Sequence, residues 1–175
     1  TFLSFLTLYR HEQSGLRPNL HEVVVEEFLE DLVAASQSVL MSGRQGHHVA
    51  VRIATERISI APAVKHKGCA RFDEYLLDMA LESALNNAMR YAKQQVSLWF
   101  EQQPGKLCWC IADDGPGLAK TNEPNQRSAS DSASNTGLGL ALCQAVVEAH
   151  GGGMVSLQNA ATQGALFRLE LHVPE

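Results

Sequence analysis

Two adjacent asparagines, Asn86 and Asn87, stand in the middle of "ESALNNAMRYA", a stretch that otherwise carries the apolar spacing of an amphipathic helix. An interior helical asparagine costs stability because its amide competes for backbone hydrogen bonds, so the pair calls for a partner. Downstream, "DDGPG" closes a strand-like run with two acids and two glycines. Such a turn lets the chain double back tightly and brings its backbone close to a ligand. Further on, "NTGLGLALC" passes through a glycine turn straight into a helix. That arrangement exposes unpaired N–H groups and the positive end of the helix dipole, a cradle for phosphate. Each glycine motif alone also reads as a plain turn or as a close-packing device. Both in order, downstream of an asparagine-bearing helix, are hard to attribute to chance.

The helix carrying the asparagines is expected to start at the N-cap residue Asp73 and run to about Lys93, with Leu77, Leu81, Ala84, Leu85, Ala88 and Ala92 as its core stripe. "VSLWF" and "KLCWCIA" read as strands joined by the turn "EQQPG", and the second leads directly into "DDGPGL". The polar run "AKTNEPNQRSASDSASN" has neither helical nor strand period; glycine motifs bracket it, which favours a lid over an interdomain linker. A helix from about Leu138 to His150 follows, then the strands "MVSLQNA" and "ALFRLELHV" across "ATQG". Upstream, apolar spacing predicts helices from Phe2 to about His11 and from about Val23 to Met41, and "HHVAVRIA" with "ISIAPAVKHKGCA" suggests a hairpin-like pair. The sum is an α+β fold: a two-layer sandwich with helices on one face of a mixed, largely antiparallel sheet.

Composition narrows the partners. The 175 residues suit one domain; the formal net charge is -5, with 14 Lys and Arg scattered along the chain, so nucleic acid is disfavoured. No apolar run reaches the length of a membrane span, and "TFLSFLTLYR" lacks the leading basic region of a signal peptide, so a soluble chain is expected. Cys69, Cys108, Cys110 and Cys143 lack CxxC spacing; Cys108 and Cys110 share one strand face, where core filling is favoured over metal binding. His47 and His48 point to opposite faces of a strand end and cannot readily chelate one ion together.

The run of "ESALNNAMRYA", "DDGPGL", a lid and "NTGLGL" resembles the asparagine box and two glycine boxes of the catalytic ATP-binding domain of sensor histidine kinases, within the GHKL or Bergerat-fold ATPase superfamily. The closing "GGGMVSLQNAATQGALFRLEL" resembles the end of that domain. The resemblance implies ATP held between the helices and the lid, with Mg²⁺ on its phosphates. It divides the chain into residues 17–175, the catalytic domain with its lid at about 119–135, and residues 1–16, the end of a dimerisation and phosphoacceptor helix.

Matched residue by residue, the resemblance implies the following roles. Asn87 ligates Mg²⁺, which supplies the partner its helix position demands. Arg90 and Tyr91 reach phosphate and nucleotide, and Glu82 polarises water or the acceptor or is a plain surface charge. Ser83 replaces the family's frequent second asparagine and could bond a metal-bound water. Asp113 accepts a hydrogen bond from the adenine amino group; Gly115, Gly117 and Leu118 shape the pocket, and Gly164 is structural. Thr136, Gly137, Leu138, Gly139 and Leu140 surround the phosphates, with Arg127 as the lid's cation. His11 lacks the Arg-Thr-Pro pattern of a phosphoacceptor, so the accepting histidine is expected in a region outside this chain. The implied partners are the protein's own dimerisation domain and a response regulator, in a homodimeric parent working in the cytoplasm and anchored in the inner membrane. Clamp ATPases of the superfamily and a degenerate, non-enzymatic nucleotide- or partner-binding module are the competing readings.

Overall fold

The computed structural model describes residues 6, 7, 10, 15–43, 49–58, 68–118 and 139–173, the side chains of 37–43 excepted. Of the expected first helix only residues 6, 7 and 10 are described, and all three are helical; the histidine pair 47–48, the lid and the first part of the second glycine motif lie outside the described residues.

The central helix α2 (Glu74–Tyr91) begins where its cap residue predicts: Asp73 Oδ1 accepts the Leu76 N–H at 2.9 Å. It ends two residues before the expected Lys93. The reason is Asp114, whose carboxylate accepts the N–H groups of Lys93, Gln94 and Gln95 at 2.8, 3.1 and 3.1 Å and so draws them out of the helical ladder. The helix α1 (Val25–Gly43) and the helix α3 (Gly139–Ala149) pack on either side of α2.

Five strands form one sheet in the order β2 (Ala50–Ile53), β4 (Gln95–Gln103), β5 (Lys106–Asp113), β7 (Ala165–His172), β6 (Gly153–Asn159). Only the β2–β4 pairing is parallel. Gln103 pairs with Lys106, so Pro104 and Gly105 alone make the β4–β5 turn and "EQQ" belongs to the strand. Of the hairpin expected upstream, residues 59–67 lie outside the described residues. β2 lies parallel to β4, while β3 (Cys69–Phe72) pairs antiparallel with a strand the periodicity concealed, β1 (His21–Val24), in a separate ribbon. Three consecutive valines, Val23 to Val25, favour extended backbone before the acidic first turn of α1.

Period-two alternation divides the sheet into two faces. Val96, Leu98, Phe100, Trp109, Ile111 and Leu169 point into the main core beneath the helices. Trp109 is fully buried there, edge-on to Phe72 at 4.9 Å and near Phe100 at 5.2 Å. The opposite face carries a smaller cluster of Ala54, Trp99, Cys108 and Cys110. This is the expected α+β sandwich with a mixed sheet.

One contact ties the helices together. The N–H of Asp73 donates to His150 Nε2 at 3.0 Å, and His150 Nδ1–H donates to the Val146 carbonyl at 2.7 Å. The start of α2 is thereby fixed to the end of α3, the two helices that flank the site described next.

Candidate functional site

Ser83 and Asn87 stand four residues apart on α2 and therefore share a face. That face turns toward a cleft of about 370 Å³, open mouth included, between α2, α3 and the end of the sheet. Ala84 and Ala88 supply the room, since larger side chains at those turns would fill it. Asn86, one residue before Asn87, is exposed to solvent. The far wall is apolar and comes from three strands: Ile111 on β5, Leu157 on β6 and Phe167 on β7. Gly139 and Leu140, at the first turn of α3, form the remaining side with Cys143.

Asp113 closes the inner end, and its carboxylate is buried. Its Oδ1 accepts the N–H groups of Gly115 at 3.0 Å and Ala165 at 3.3 Å, which fixes the orientation of the group. Two glycines make this geometry possible. A Cβ at Gly115 would overlap the Tyr91 carbonyl, and one at Gly164, where φ is +87°, would overlap the Asp113 carbonyl. The first glycine motif thus serves to bring the strand end against the C-terminus of α2. Beyond it, Leu118 N–H donates to Asn159 Oδ1 at 2.6 Å, pinning the chain to the end of β6. Partial burial works to raise the Asp114 carboxyl, but the backbone N–H groups of Gln94, Gln95 and Lys93 outweigh it and hold it below the ordinary carboxylate range.

The structure therefore brings Ser83, Asn87, Asp113, Gly139 and Leu140 to one cavity. Gly115, Gly117 and Leu118 lie just beyond it on the chain leaving Asp113. Arg90 and Tyr91 do not line it; the Arg90 guanidinium lies 5.5 Å from the centre of the Tyr91 ring, and Arg90 is exposed. Glu82 is not part of the lining either. It acts on Asp78, one turn back, whose carboxyl is raised first by burial and then by Glu82. Arg127, Thr136, Gly137 and Leu138 lie outside the described residues.

Sequence reasoning missed Cys143, whose thiol burial pushes up to about 12. Its place four residues after Gly139 was the available signal. It also missed Phe167, Leu157 and Asn159, whose strands reach the site only through sheet pairing.

The donor set fits a magnesium nucleotide. A slot with an apolar far wall suits a flat base, and a buried carboxylate at its end suits an exocyclic amino group. The amide of Asn87 and the hydroxyl of Ser83 offer hard oxygens for a cation and its waters.

Over residues 72–175 the chain matches the family described as "Histidine kinase-, DNA gyrase B-, and HSP90-like ATPase". It is 22% identical to the sensor protein KdpD of Clostridium acetobutylicum, over 96% of its own length and 18% of that protein's. It is 31% identical to the sensor protein SphS of Synechococcus elongatus, over 60% of its own length and 29% of that protein's. The chain thus spans under a third of each of these relatives. Full-length ShkA, crystallised in complex with AMPPNP, shares the fold, with a TM-score of 0.70 at 24% identity over 96% of this chain and 34% of ShkA.

Proposed function

The chain belongs to the histidine kinase-, DNA gyrase B- and HSP90-like ATPase family, and from that premise we propose that it is the catalytic ATP-binding domain of a sensor histidine kinase. The observation that carries this reading is the convergence of Asn87, Asp113 and Gly139 on a single cavity. In this reading the Asp113 carboxylate accepts the adenine amino N–H; it has no proton to donate to the carbonyl of guanine, which selects ATP over GTP. Ile111, Leu157 and Phe167 cover the base and exclude water from it. Asn87, with Ser83 through a water, holds Mg²⁺, which neutralises charge on the phosphates when bound.

The backbone N–H groups at the start of α3 face the phosphates, with Thr136, Gly137 and Leu138 continuing that cradle and Arg127 reaching the γ-phosphate from the lid. Arg90 and Tyr91 flank the nucleotide from the last turn of α2, and Glu82, outside the cavity lining, either polarises water or the acceptor or is a plain surface charge of the helix. The protein's part in the transfer is positioning and charge neutralisation. The γ-phosphoryl group passes to a histidine of the dimerisation domain and on to a response regulator. The parent is a homodimer working in the cytoplasm, with residues 1–16 closing its dimerisation helix and 119–135 its lid. No helix among the described residues is long and apolar enough to cross a membrane, so an inner-membrane anchor would belong to the rest of the parent.

The test is to supply the chain with radiolabelled ATP, Mg²⁺ and a histidine-bearing dimerisation domain from the same parent. Phosphate on that histidine is the expected result. Steady hydrolysis without any acceptor would assign the chain to the clamp ATPases, and absence of ATP binding would assign it to a degenerate module.

A further inference from the structure

The sheet face turned away from the helices holds a second concentration of chemistry. Glu101 on β4 lies directly across from Cys108 on β5, and Arg168 on β7 lies directly across from Cys110. All four side chains emerge on this one face, among the buried Trp99, Cys108 and Cys110. The sulfurs of Cys108 and Cys110 are 3.8 Å apart, and a carboxylate oxygen of Glu101 lies within 4.8 Å of both. We propose that Cys108, Cys110 and Glu101 form a binding site for a thiophilic divalent cation of the zinc type, with a water on its fourth position.

Three observations support the site. Two Zn–S bonds of about 2.3 Å at the tetrahedral angle place their sulfurs about 3.8 Å apart, which is the separation found here. The third ligand is already oriented: Glu101 accepts from Trp99 Nε1 at 3.2 Å and from Arg168 at 3.1 Å, contacts of the kind that hold metal-binding carboxylates in place. Charge also balances with the ion bound. Two thiolates and one carboxylate carry three negative charges, against two on the cation and one on Arg168. Without the ion, two neutral thiols and the Glu101–Arg168 pair balance as well, so the ion enters as two thiol protons leave.

A disulfide suits this pair less. Residues i and i+2 of a strand have Cα atoms roughly 6.6–6.8 Å apart, at the outer limit of about 6.8 Å for disulfides. An interposed atom spans that gap without bending the strand. Glu101 is half-buried, and it opens the site to solvent while the sulfurs stay covered.

The site is independent of the nucleotide cavity, and its test is too. The full chain is titrated with Zn²⁺ against a chromophoric chelator, and with Co²⁺ for the sulfur-to-metal charge-transfer band. One equivalent bound, with that band present, is expected; Glu101→Gln, which removes a direct ligand, should weaken Zn²⁺ by at least the roughly 10–100-fold that loss of an outer-shell partner costs, and Cys108→Ala should abolish both signals. A cooperative urea transition of the metal-free chain, retained in each variant, certifies that the fold is intact. Cys108→Ser, which keeps a polar group at the same position of the side chain, serves if Cys108→Ala does not fold. Zn²⁺ affinity equal in the parent and cysteine variants, or Co²⁺ bound without the charge-transfer band, overturns the proposal.

Discussion

Asp113 carries two loads at the scale of one residue: its Oδ1 accepts two backbone N–H groups, and its carboxylate faces the cavity. Asp113→Asn keeps a carbonyl oxygen for the backbone but offers an N–H where the adenine amino group would donate. It should weaken ATP by about 1.5–3 kcal/mol, the range for a hydrogen bond to a charged group, with little change in the unfolding midpoint; calorimetric titration reads the first and a urea melt the second. Gly164→Ala places a Cβ against the Asp113 carbonyl in the left-handed region and should cost about 1–3 kcal/mol of stability, visible in the same melt. Ser83→Asn adds a second amide one turn before Asn87 and should tighten the magnesium dependence of ATP binding, measured as the ratio of affinities with and without Mg²⁺. Asp113, Ser83 and Gly164 came from the family resemblance alone; what drew attention to it was an interior asparagine and a glycine pair at a strand end, both locally unfavourable unless something uses them. Phe167, Leu157 and Cys143 gave no such signal: an apolar residue lining a cavity has the same sequence pattern as one filling a core.

Among the elements, α2 matters most, because its start is held by α3 and its end by the turn after β5. His150 joins the first of these as a neutral ring, and burial, ahead of the opposing bond to the Val146 carbonyl and the charge of Asp73, keeps its pKa below the ordinary value. A group depressed in the folded state binds its proton more readily when unfolded. Its contribution is therefore present above about pH 6.5 and is lost as pH falls from there through the folded value. His21, raised by its bond to Glu74, has the opposite sign: its contribution is present below about pH 6.5 and disappears as pH rises through its folded value. Comparing His150→Gln with the parent separates the two. Between pH 7.5 and 5.5 the parent should lose urea resistance relative to His150→Gln, and parallel curves would contradict the assignment. The helices and the β4–β5 and β6–β7 hairpins were readable from period and turn residues, all local quantities. The β1–β3 ribbon and the parallel seat of β2 were not, because four-residue strands specify a face but not a partner dozens of residues away.

For the whole molecule, the sheet is a partition: a nucleotide cavity under the helices on one side and the thiol cluster on the other. The order of motifs along the chain was enough to indicate the family: the first glycine motif sits at the end of β5, and Gly139 of the second opens α3 at the cavity. The central claim is that Asn87, Asp113 and the start of α3 hold one magnesium nucleotide between them. The most direct measurement is titration of ATP and GTP, with and without Mg²⁺, into the parent chain, Asn87→Ala and Asp113→Asn. Magnesium-dependent ATP binding is expected in the parent, with loss of that dependence in Asn87→Ala and loss of the preference for ATP over GTP in Asp113→Asn. ATP bound equally by all three chains, or equal affinity for GTP in the parent, would contradict it.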